Sequence, residues 1–302
     1  MITLIKDANI CDGTNRPSYQ ADILIRDTMI EKIGTIETSH ADVIINANHK
    51  DVTPGFIDPH RHLDFDVLNN DDFGEVELSQ GITTALGGNC GLAPYPSADF
   101  SRKAVYDFIE PCLGKPANHI VLNSVDDFLL AVDNKRPHIN VGTLVATGAL
   151  KSAVKGFDKS PYTNQEMDQA IDILLQSLED GACGISSGIM YVPECYSTTE
   201  EFVRLLKPAS KYGRVLTTHI RGEGDGLVDS VKEVIEIAKR CELPLNISHL
   251  KSVGKRNWQK EIYNVISILN TERANGFDVT ADFYPYTGGS TTLMTLIPPS
   301  FV

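Results

Sequence analysis

Five residues of the chain combine side-chain types that bind a borderline-soft metal ion. His60 and His62 stand two apart in the run P-G-F-I-D-P-H-R-H, and Cys90, His219 and His249 follow later in the sequence. Imidazole and thiolate ligands suit Zn²⁺, whereas Mg²⁺ or Ca²⁺ would require oxygen ligands. A zinc ion with an open coordination position lowers the pKa of water to about 7 and polarises carbonyl groups. These residue types therefore indicate a hydrolytic zinc centre.

The spacing of the five residues matches the length of a β/α unit. His62 and Cys90 are 28 residues apart, and His219 and His249 are 30 apart, close to the ~30 residues of a βαβ unit. Each taken alone is more often a core or loop histidine, or a buried structural thiol, than a ligand. Because all five follow apolar strand-like segments, we expect them to meet at the carboxyl ends of barrel strands. Alternate strand residues share a face, so His60 and His62 are predicted to project together from a strand end.

From residue 53 onward, strand-like and helix-like segments alternate. One amphipathic segment runs from Asn164 to about Asp180, and another begins at a capping box formed by Ser197 and Glu200. Candidate strands are residues 54–62, 82–89, 139–147, 183–189, 214–220, 243–250 and 278–286. Such alternation predicts a parallel sheet. Seven units match an α/β fold of the metal-dependent (β/α)₈ TIM-like barrel type without its last strand, so we expect an incomplete barrel domain at residues 53–302.

Residues 1–52 have a different pattern from the rest of the chain. Short apolar runs flank the polar turn Asp27-Thr28, and no helical period of useful length is present. The segment predicts a small all-β module, part of a β-sandwich, because a few strands alone cover little core. The start, MITLIKDANI, alternates like a strand and lacks the layout of a signal peptide. We therefore expect a cytoplasmic location.

Composition narrows the classes of partner. The 302 residues carry a formal net charge of −13, which argues against a protein that follows nucleic-acid phosphates. No apolar run approaches the ~20 residues of a membrane span. The six cysteines show no C-x-x-C pairing, which predicts reduced thiols, most of them buried. A small-molecule substrate is expected, with neither nucleic acid nor membrane as a partner.

Several motifs together resemble the N-acyl-D-amino-acid deacylase (D-aminoacylase) branch of the amidohydrolase superfamily. They are P-G-F-I-D-P-H-R-H-L-D, G-I-T-T-A-L-G-G-N-C-G, T-H-I-R-G-E-G-D-G, I-S-H-L-K and D-V-T-A-D-F-Y-P-Y-T, and the similarity runs along the whole chain. The resemblance implies one tightly held zinc ion on Cys90, His219 and His249. It also implies a second, weaker metal position at His60 and His62, bridged by the same cysteine.

The resemblance also implies substrate contacts. Lys251 would hold the substrate carboxylate, and Tyr284 and Ser290 would contact the substrate, with Tyr284 stabilising the oxyanion. The general base of the family is an aspartate after the eighth strand, and no residue of this chain matches it. Thr147 stands where relatives often carry a histidine.

Three further residues allow two interpretations each from the sequence. Asp282 is either a partner of a ligand histidine or a carboxylate that anchors a loop. Arg221 and Glu223 either face the substrate or pair with each other. If the strands continue, Lys251 shares the face of His249 because it lies two residues beyond it.

The leading functional hypothesis is zinc-dependent hydrolysis of the linear amide bond of N-acyl-D-amino acids by metal-activated water. The products would be a carboxylate and a D-amino acid. One alternative is a cyclic amide as substrate, as in dihydropyrimidine or hydantoin hydrolysis. Such relatives often bridge their metals with a carboxylated lysine, so Cys90 argues against it. A third hypothesis is an inactive metal-binding fragment, supported by the missing eighth strand.

Overall fold

The computed structural model describes residues 1–37, 41–116 and 120–297. The chain forms two compact units, Met1–Phe56 and Ile57–Val302. The boundary predicted from the sequence lies after residue 52, before the strand that begins the second unit.

The first unit is a mixed β-sheet. Its strands are β1 (Ile2–Ile10), β2 (Tyr19–Arg26), β3 (Met29–Gly34), β4 (Val43–Asn46) and β5 (Asp51–Val52). β1 pairs antiparallel with β2 and parallel with β4 and β5. β2 and β3 form an antiparallel hairpin around Asp27 and Thr28. Ala8, Ile10 and Ile23 form a small apolar core, as expected for few strands.

The second unit is built on a parallel sheet. Within the described residues its strands are β6 (Phe56–Asp58), β7 (Ile82–Gly87), β8 (Asn140–Ala146), β9 (Gly184–Gly188), β10 (Val215–His219), β11 (Leu245–Ile247) and β12 (Val279–Ala281). They lie side by side in chain order, and the pairs from β7 to β12 are parallel. This curled, seven-stranded half-barrel confirms the predicted fold.

Helices alternate with the strands of the second unit. They are α1 (Asp66–Asn69), α2 (Glu75–Ser79), α3 (Asp99–Leu113), α4 (Val125–Lys135), α5 (Thr147–Lys155), α6 (Asn164–Glu179), α7 (Thr199–Leu206), α8 (Leu227–Cys241) and α9 (Glu261–Ala274). The capping box of α7 is formed by Thr198 and Glu201, so the predicted box at Ser197 and Glu200 is wrong by one residue. The hydroxyl of Ser197 instead accepts a 2.7 Å hydrogen bond from the Lys151 ammonium.

The main core lies between the sheet and these helices. Ile185 of β9 and Leu216 of β10 are almost fully buried, and they form one apolar cluster with Val145 of β8, Leu174 of α6 and Val231 of α8. This burial fixes the positions of the strand ends, where the polar residues of the candidate site lie.

Two further expectations concern the burial of the cysteines and the absence of a membrane-spanning segment. All six cysteines carry free thiols, but only Cys90 and Cys241 are buried, so the prediction that most are buried is wrong. Cys183, for example, is exposed just before the amino end of β9. In the part of the chain that the structure describes, no helix is long and apolar enough to cross a membrane.

Candidate metal centre

The five candidate ligands meet at the carboxyl ends of the strands. Cys90 lies in a short 3₁₀ turn after β7, and its Sγ atom is 3.3 Å from Nε2 of His60 and 3.4 Å from Nε2 of His249. The ligand atoms of Cys90, His219 and His249 all lie within 4.8 Å of one another, and so do those of His60, His62 and Cys90. One thiol therefore belongs to two adjoining groups of candidate ligands.

The histidine pair is presented by a loop, which corrects the prediction that both rings project from a strand. β6 ends at Asp58, and Pro59, which has no N–H group to donate to a sheet, follows. The Asp58 carboxylate accepts the backbone N–H of His60 at 3.1 Å, a local turn of the kind that aspartate favours. The rings of His60 and His62 still face the same cluster, with their centroids 5.7 Å apart.

The backbone around Cys90 is unusual. Gly88 has a φ of 70° and Cys90 a φ of 58°, both in the left-handed region that is costly for residues with a side chain. A Cβ atom on Gly88 would lie 2.3 Å from the carbonyl oxygen of Leu144. Glycine is therefore required at position 88, because only it allows this close approach to the neighbouring strand.

Asp282 contacts two of the candidate ligands. Its Oδ1 atom accepts the backbone N–H of His249 at 2.6 Å and lies 3.3 Å from Nδ1 of His60, while Oδ2 accepts a 2.6 Å bond from the Asn246 amide. Burial alone would raise the pKa of this carboxyl group, but these contacts lower it overall. The Asp282 carboxylate thus lies at Nδ1 of His60, and Nε2 of the same ring faces Cys90.

Glu223 contacts Nδ1 of His249, as Asp282 contacts Nδ1 of His60. Its Oε1 atom lies 3.0 Å from Nδ1 of His249 and 2.5 Å from the Lys251 ammonium. Arg221 pairs instead with Glu233 at 2.9 Å, so the idea that Arg221 and Glu223 pair with each other is wrong. Burial opposes ionisation of Glu223, yet its bonds to His249 and Lys251 hold its pKa below the usual value.

His219 shows that the cluster fits a metal ion. The residue is buried, and neither ring nitrogen has a hydrogen-bond partner among the residues that the structure describes. A neutral imidazole offers one donor and one acceptor, and leaving them unpaired in the interior is costly. Coordination of a metal ion would satisfy the acceptor nitrogen. One thiol and neutral imidazoles are a donor set that zinc favours.

Burial also keeps the histidines in their metal-binding form. Burial, followed by the neighbouring histidines, lowers the pKa of His62 to about 4 and that of His219 well below its usual value. Burial raises the pKa of the Cys90 thiol, and the carboxylates of Asp282 and Glu223 raise it further. A bound cation would offset this cost, because metal binding is coupled to loss of the thiol proton.

The predicted substrate-binding residues lie at the edge of this cluster. The Lys251 ammonium donates to the His249 carbonyl oxygen at 3.0 Å and lies 5.5 Å from the centre of the Tyr284 ring. Ser290 is exposed, and the next residue, Thr291, lies 2.9 Å from the Tyr191 hydroxyl oxygen. The structure therefore brings Lys251 and Tyr284 together. Next to Ser290, it is Thr291 that contacts Tyr191.

The strands carrying these residues are shorter than predicted. β11 ends at Ile247 and β12 ends at Ala281, whereas the predicted strands run to residues 250 and 286, so the predicted strand face shared by His249 and Lys251 is wrong. His249 has a φ of 37°, which turns the chain out of the extended conformation. Pro285 likewise cannot donate to a neighbouring strand.

Two buried residues after β9 were missed by the sequence analysis. The ring of Tyr191 lies 4.6 Å from that of His219, and Glu194 is only 2% exposed. Both follow a strand end, as the candidate ligands do, which is the one signal that pointed to them. Neither belongs to a ligand pattern such as H-x-H, so they did not stand out.

Comparison with known proteins identifies the family. Residues 52–255 match the amidohydrolase family, and the chain belongs to that family. It is 30% identical to a D-aminoacylase of Alcaligenes xylosoxydans xylosoxydans over 290 residues, and 32% identical to an N-acyl-D-glutamate deacylase of the same organism over 291 residues. Each match covers 96% of this chain and 58% of the relative.

A solved structure agrees with these sequence matches. The chain superposes on N-acyl-D-glutamate deacylase from Bordetella bronchiseptica, which was crystallised with zinc and a phosphonate inhibitor, with a TM-score of 0.85 and 31% identity. The match covers 96% of this chain and 59% of the other. The chain thus spans less than two thirds of the length of these relatives.

Proposed function

We propose that this chain holds the zinc centre of a hydrolase that cleaves the linear amide bond of N-acyl-D-amino acids. The products are a carboxylate and a D-amino acid. One observation carries the proposal: a single buried thiol, Cys90, is shared by two groups of histidines at the strand ends. The similarity to deacylases of N-acyl-D-amino acids supports the substrate class.

In this proposal Cys90, His219 and His249 hold the tight zinc ion, and His60 and His62 form a weaker position with the same thiol. Zinc supplies Lewis-acid polarisation of the amide carbonyl and activation of water. Asp282 and Glu223 orient His60 and His249 through Nδ1. The lowered pKa values of both carboxyl groups fit orientation of the rings, because an ionised acceptor holds a ring N–H best.

Lys251 is the proposed anchor for the substrate carboxylate. An ammonium group has three donors, and here Glu223 and the His249 carbonyl oxygen take two of them. Nδ1 of His249 also lies 3.0 Å from the ammonium nitrogen. When that Nδ1 carries its hydrogen towards Glu223, the third donor of Lys251 is available to a ligand beside the Tyr284 ring. Tyr284 is assigned to the developing oxyanion and Ser290 to the substrate. Asp282 already contacts His60, His249 and Asn246, so it suits orientation of ligands better than transfer of protons.

The experiment is a hydrolysis assay on the zinc-loaded chain with a matched panel of substrates. The panel contains the D and L forms of N-acetylglutamate, N-acetylaspartate and N-acetylleucine, with dihydrouracil as a cyclic amide. We expect release of D-amino acids only, and loss of this release in Cys90→Ala. Hydrolysis of dihydrouracil without hydrolysis of any linear D-substrate would show that the substrate class is wrong.

A further inference from the structure

A buried acid lies beneath the loop that carries Cys90. Glu194 is 2% exposed, its Oε2 atom accepts the backbone N–H of Gly188 at 2.9 Å, and its Oε1 atom lies 2.5 Å from the hydroxyl of Thr147. Gly188 ends β9 and Thr147 follows β8. The carboxyl group therefore joins the ends of two neighbouring strands beside the metal centre.

The same network reaches both sides of the Cys90 turn through Ser186. The Ser186 hydroxyl accepts the backbone N–H of Gly91 at 3.1 Å and donates to the carbonyl oxygen of Gly88. Ser186 is fully buried. The Ser186 side chain thus bonds to the backbone on both sides of Cys90. The backbone carbonyl oxygen of Ser186 lies 3.0 Å from the Thr147 hydroxyl.

Three glycines pack against this network so closely that a side chain would not fit at any of them. A Cβ atom on Gly91 would lie 2.1 Å from Oε2 of Glu194, and one on Gly148 would lie 2.9 Å from the same oxygen. A Cβ atom on Gly188 would lie 2.0 Å from the carbonyl oxygen of Cys90. The carboxyl group is therefore packed directly against the backbone that follows Cys90. A left-handed non-glycine residue such as Cys90 persists only where its surroundings hold it.

The count of hydrogens in this network points to a neutral acid. Thr147 has one hydroxyl hydrogen but faces two acceptors, Oε1 of Glu194 at 2.5 Å and the Ser186 carbonyl oxygen at 3.0 Å. A protonated Glu194 removes the conflict, because its O–H donates to Thr147 and Thr147 then donates to Ser186. Burial raises the pKa of Glu194 to about 7 against the opposing effects of its hydrogen bonds, Lys151 and Arg221.

We propose that Glu194 is a positioning residue of the metal centre, which as a neutral acid fixes Thr147, Gly188 and, with Ser186, the turn that presents Cys90 to the metal. The inference rests on the zinc centre proposed above. It assigns Glu194 no contact with substrate or metal. Its effect passes through the backbone on both sides of the thiol.

The test compares zinc affinity with stability of the metal-free chain. Glu194→Gln supplies an amide that donates to Thr147 and accepts from Gly188, so it reproduces the neutral acid, whereas Glu194→Ala removes both bonds. Zinc dissociation constants are measured by competition with a chromogenic chelator, and melting temperatures are measured without metal. Leu174→Ala, a buried change in α6, is the control for lost stability, and Cys90→Ala is the control for the metal site.

We expect Glu194→Ala to weaken zinc binding about 10–100-fold, the range seen for residues that orient ligands, while Glu194→Gln stays close to the wild type. Leu174→Ala should lower the melting temperature and leave the zinc affinity unchanged. Should Glu194→Ala fail to fold, Ser186→Ala provides the second variant and is expected to weaken zinc binding in the same direction.

Two results separate this inference from the proposed function. If Cys90→Ala loses zinc but Glu194→Ala and Ser186→Ala bind it as the wild type does, the positioning role is wrong and the metal centre stands. If Cys90→Ala binds zinc like the wild type, the metal centre itself is wrong. A loss of affinity in Leu174→Ala equal to that in Glu194→Ala would make Glu194 a general stability residue and overturn the inference.

Discussion

At the scale of single residues, the partner on one ring nitrogen decides what the other nitrogen can do. Glu223 contacts Nδ1 of His249 and Asp282 contacts Nδ1 of His60, and in both rings Nε2 then faces Cys90. A carboxylate at Nδ1 fixes the tautomer and makes the other nitrogen a better ligand. The two acids thus orient the centre from outside it.

Two substitutions distinguish the orientation of the ligand His249 by Glu223 from the binding of substrate by Lys251. Glu223→Ala removes the carboxylate from His249 and should weaken zinc binding about 10–100-fold. Lys251→Met removes the ammonium but leaves Glu223 on His249, so zinc affinity should stay close to that of the wild type while KM for an N-acyl-D-amino acid rises. Chelator competition and steady-state kinetics measure the two effects. A loss of zinc in Lys251→Met with unchanged KM would contradict the assignment of Lys251.

The buried acid gives a prediction about pH. The pKa of Glu194 is raised from 4.5 to about 7 by burial, so the folded state binds a proton that the unfolded state has released. Stability from this group is therefore present below about pH 4.5 and is lost as pH rises to about 7. At 1.36 kcal/mol for each pH unit the loss is about 3 kcal/mol.

Urea unfolding of the metal-free chain between pH 4.5 and 8 measures this loss. The difference in unfolding free energy between the wild type and Glu194→Gln should grow in favour of glutamine as pH rises, and then level off above about pH 7. A difference that is constant with pH would show that Glu194 has an ordinary pKa.

At the scale of the elements, the sequence predicted where strands lie but not where they stop. Apolar runs report burial, and each of the seven predicted segments contains a strand, from β6 to β12. The ends depend on local backbone features, such as Pro59 and the left-handed His249, which the apolar pattern does not encode. The H-x-H pair was found from its spacing. Glu194 was missed because nothing in a sequence marks an acid as buried.

The Cys90 turn gives a prediction at this scale. Gly88 and Gly213 have similar left-handed backbones, with φ of 70° and 59°, but only Gly88 has atoms within 4 Å of an added Cβ. Gly213→Ala should therefore cost only backbone strain, about 1–2 kcal/mol. Gly88→Ala should cost clearly more, because the β8 backbone must move. Denaturant unfolding of both variants measures the difference, and equal losses would argue against close packing at the turn.

At the scale of the whole molecule, apolar side chains remain exposed in both units. In the first unit they include Ile30 of β3 and Ile44 of β4, and in the second Phe283 and Tyr286 beyond β12. β3 and β4 lie at the two ends of the strand order of the first sheet, and apolar side chains exposed on an edge strand favour association.

We therefore expect the chain to associate at high concentration, even when loaded with zinc. Light scattering against concentration measures the association, and the double variant Ile30→Lys with Ile44→Lys should reduce it. A chain that stays monomeric at high concentration would contradict this expectation.

The central claim is that Cys90, His219 and His249 share one zinc ion, and X-ray absorption at the zinc edge tests it most directly. On the chain loaded with one equivalent of zinc, the predicted ligand shell contains one sulfur near ~2.3 Å and nitrogen near ~2.0–2.1 Å. The sulfur should disappear in Cys90→Ala, and the nitrogen signal should fall in His219→Ala. A shell without sulfur in the wild type, or a sulfur that persists in Cys90→Ala, would contradict the account.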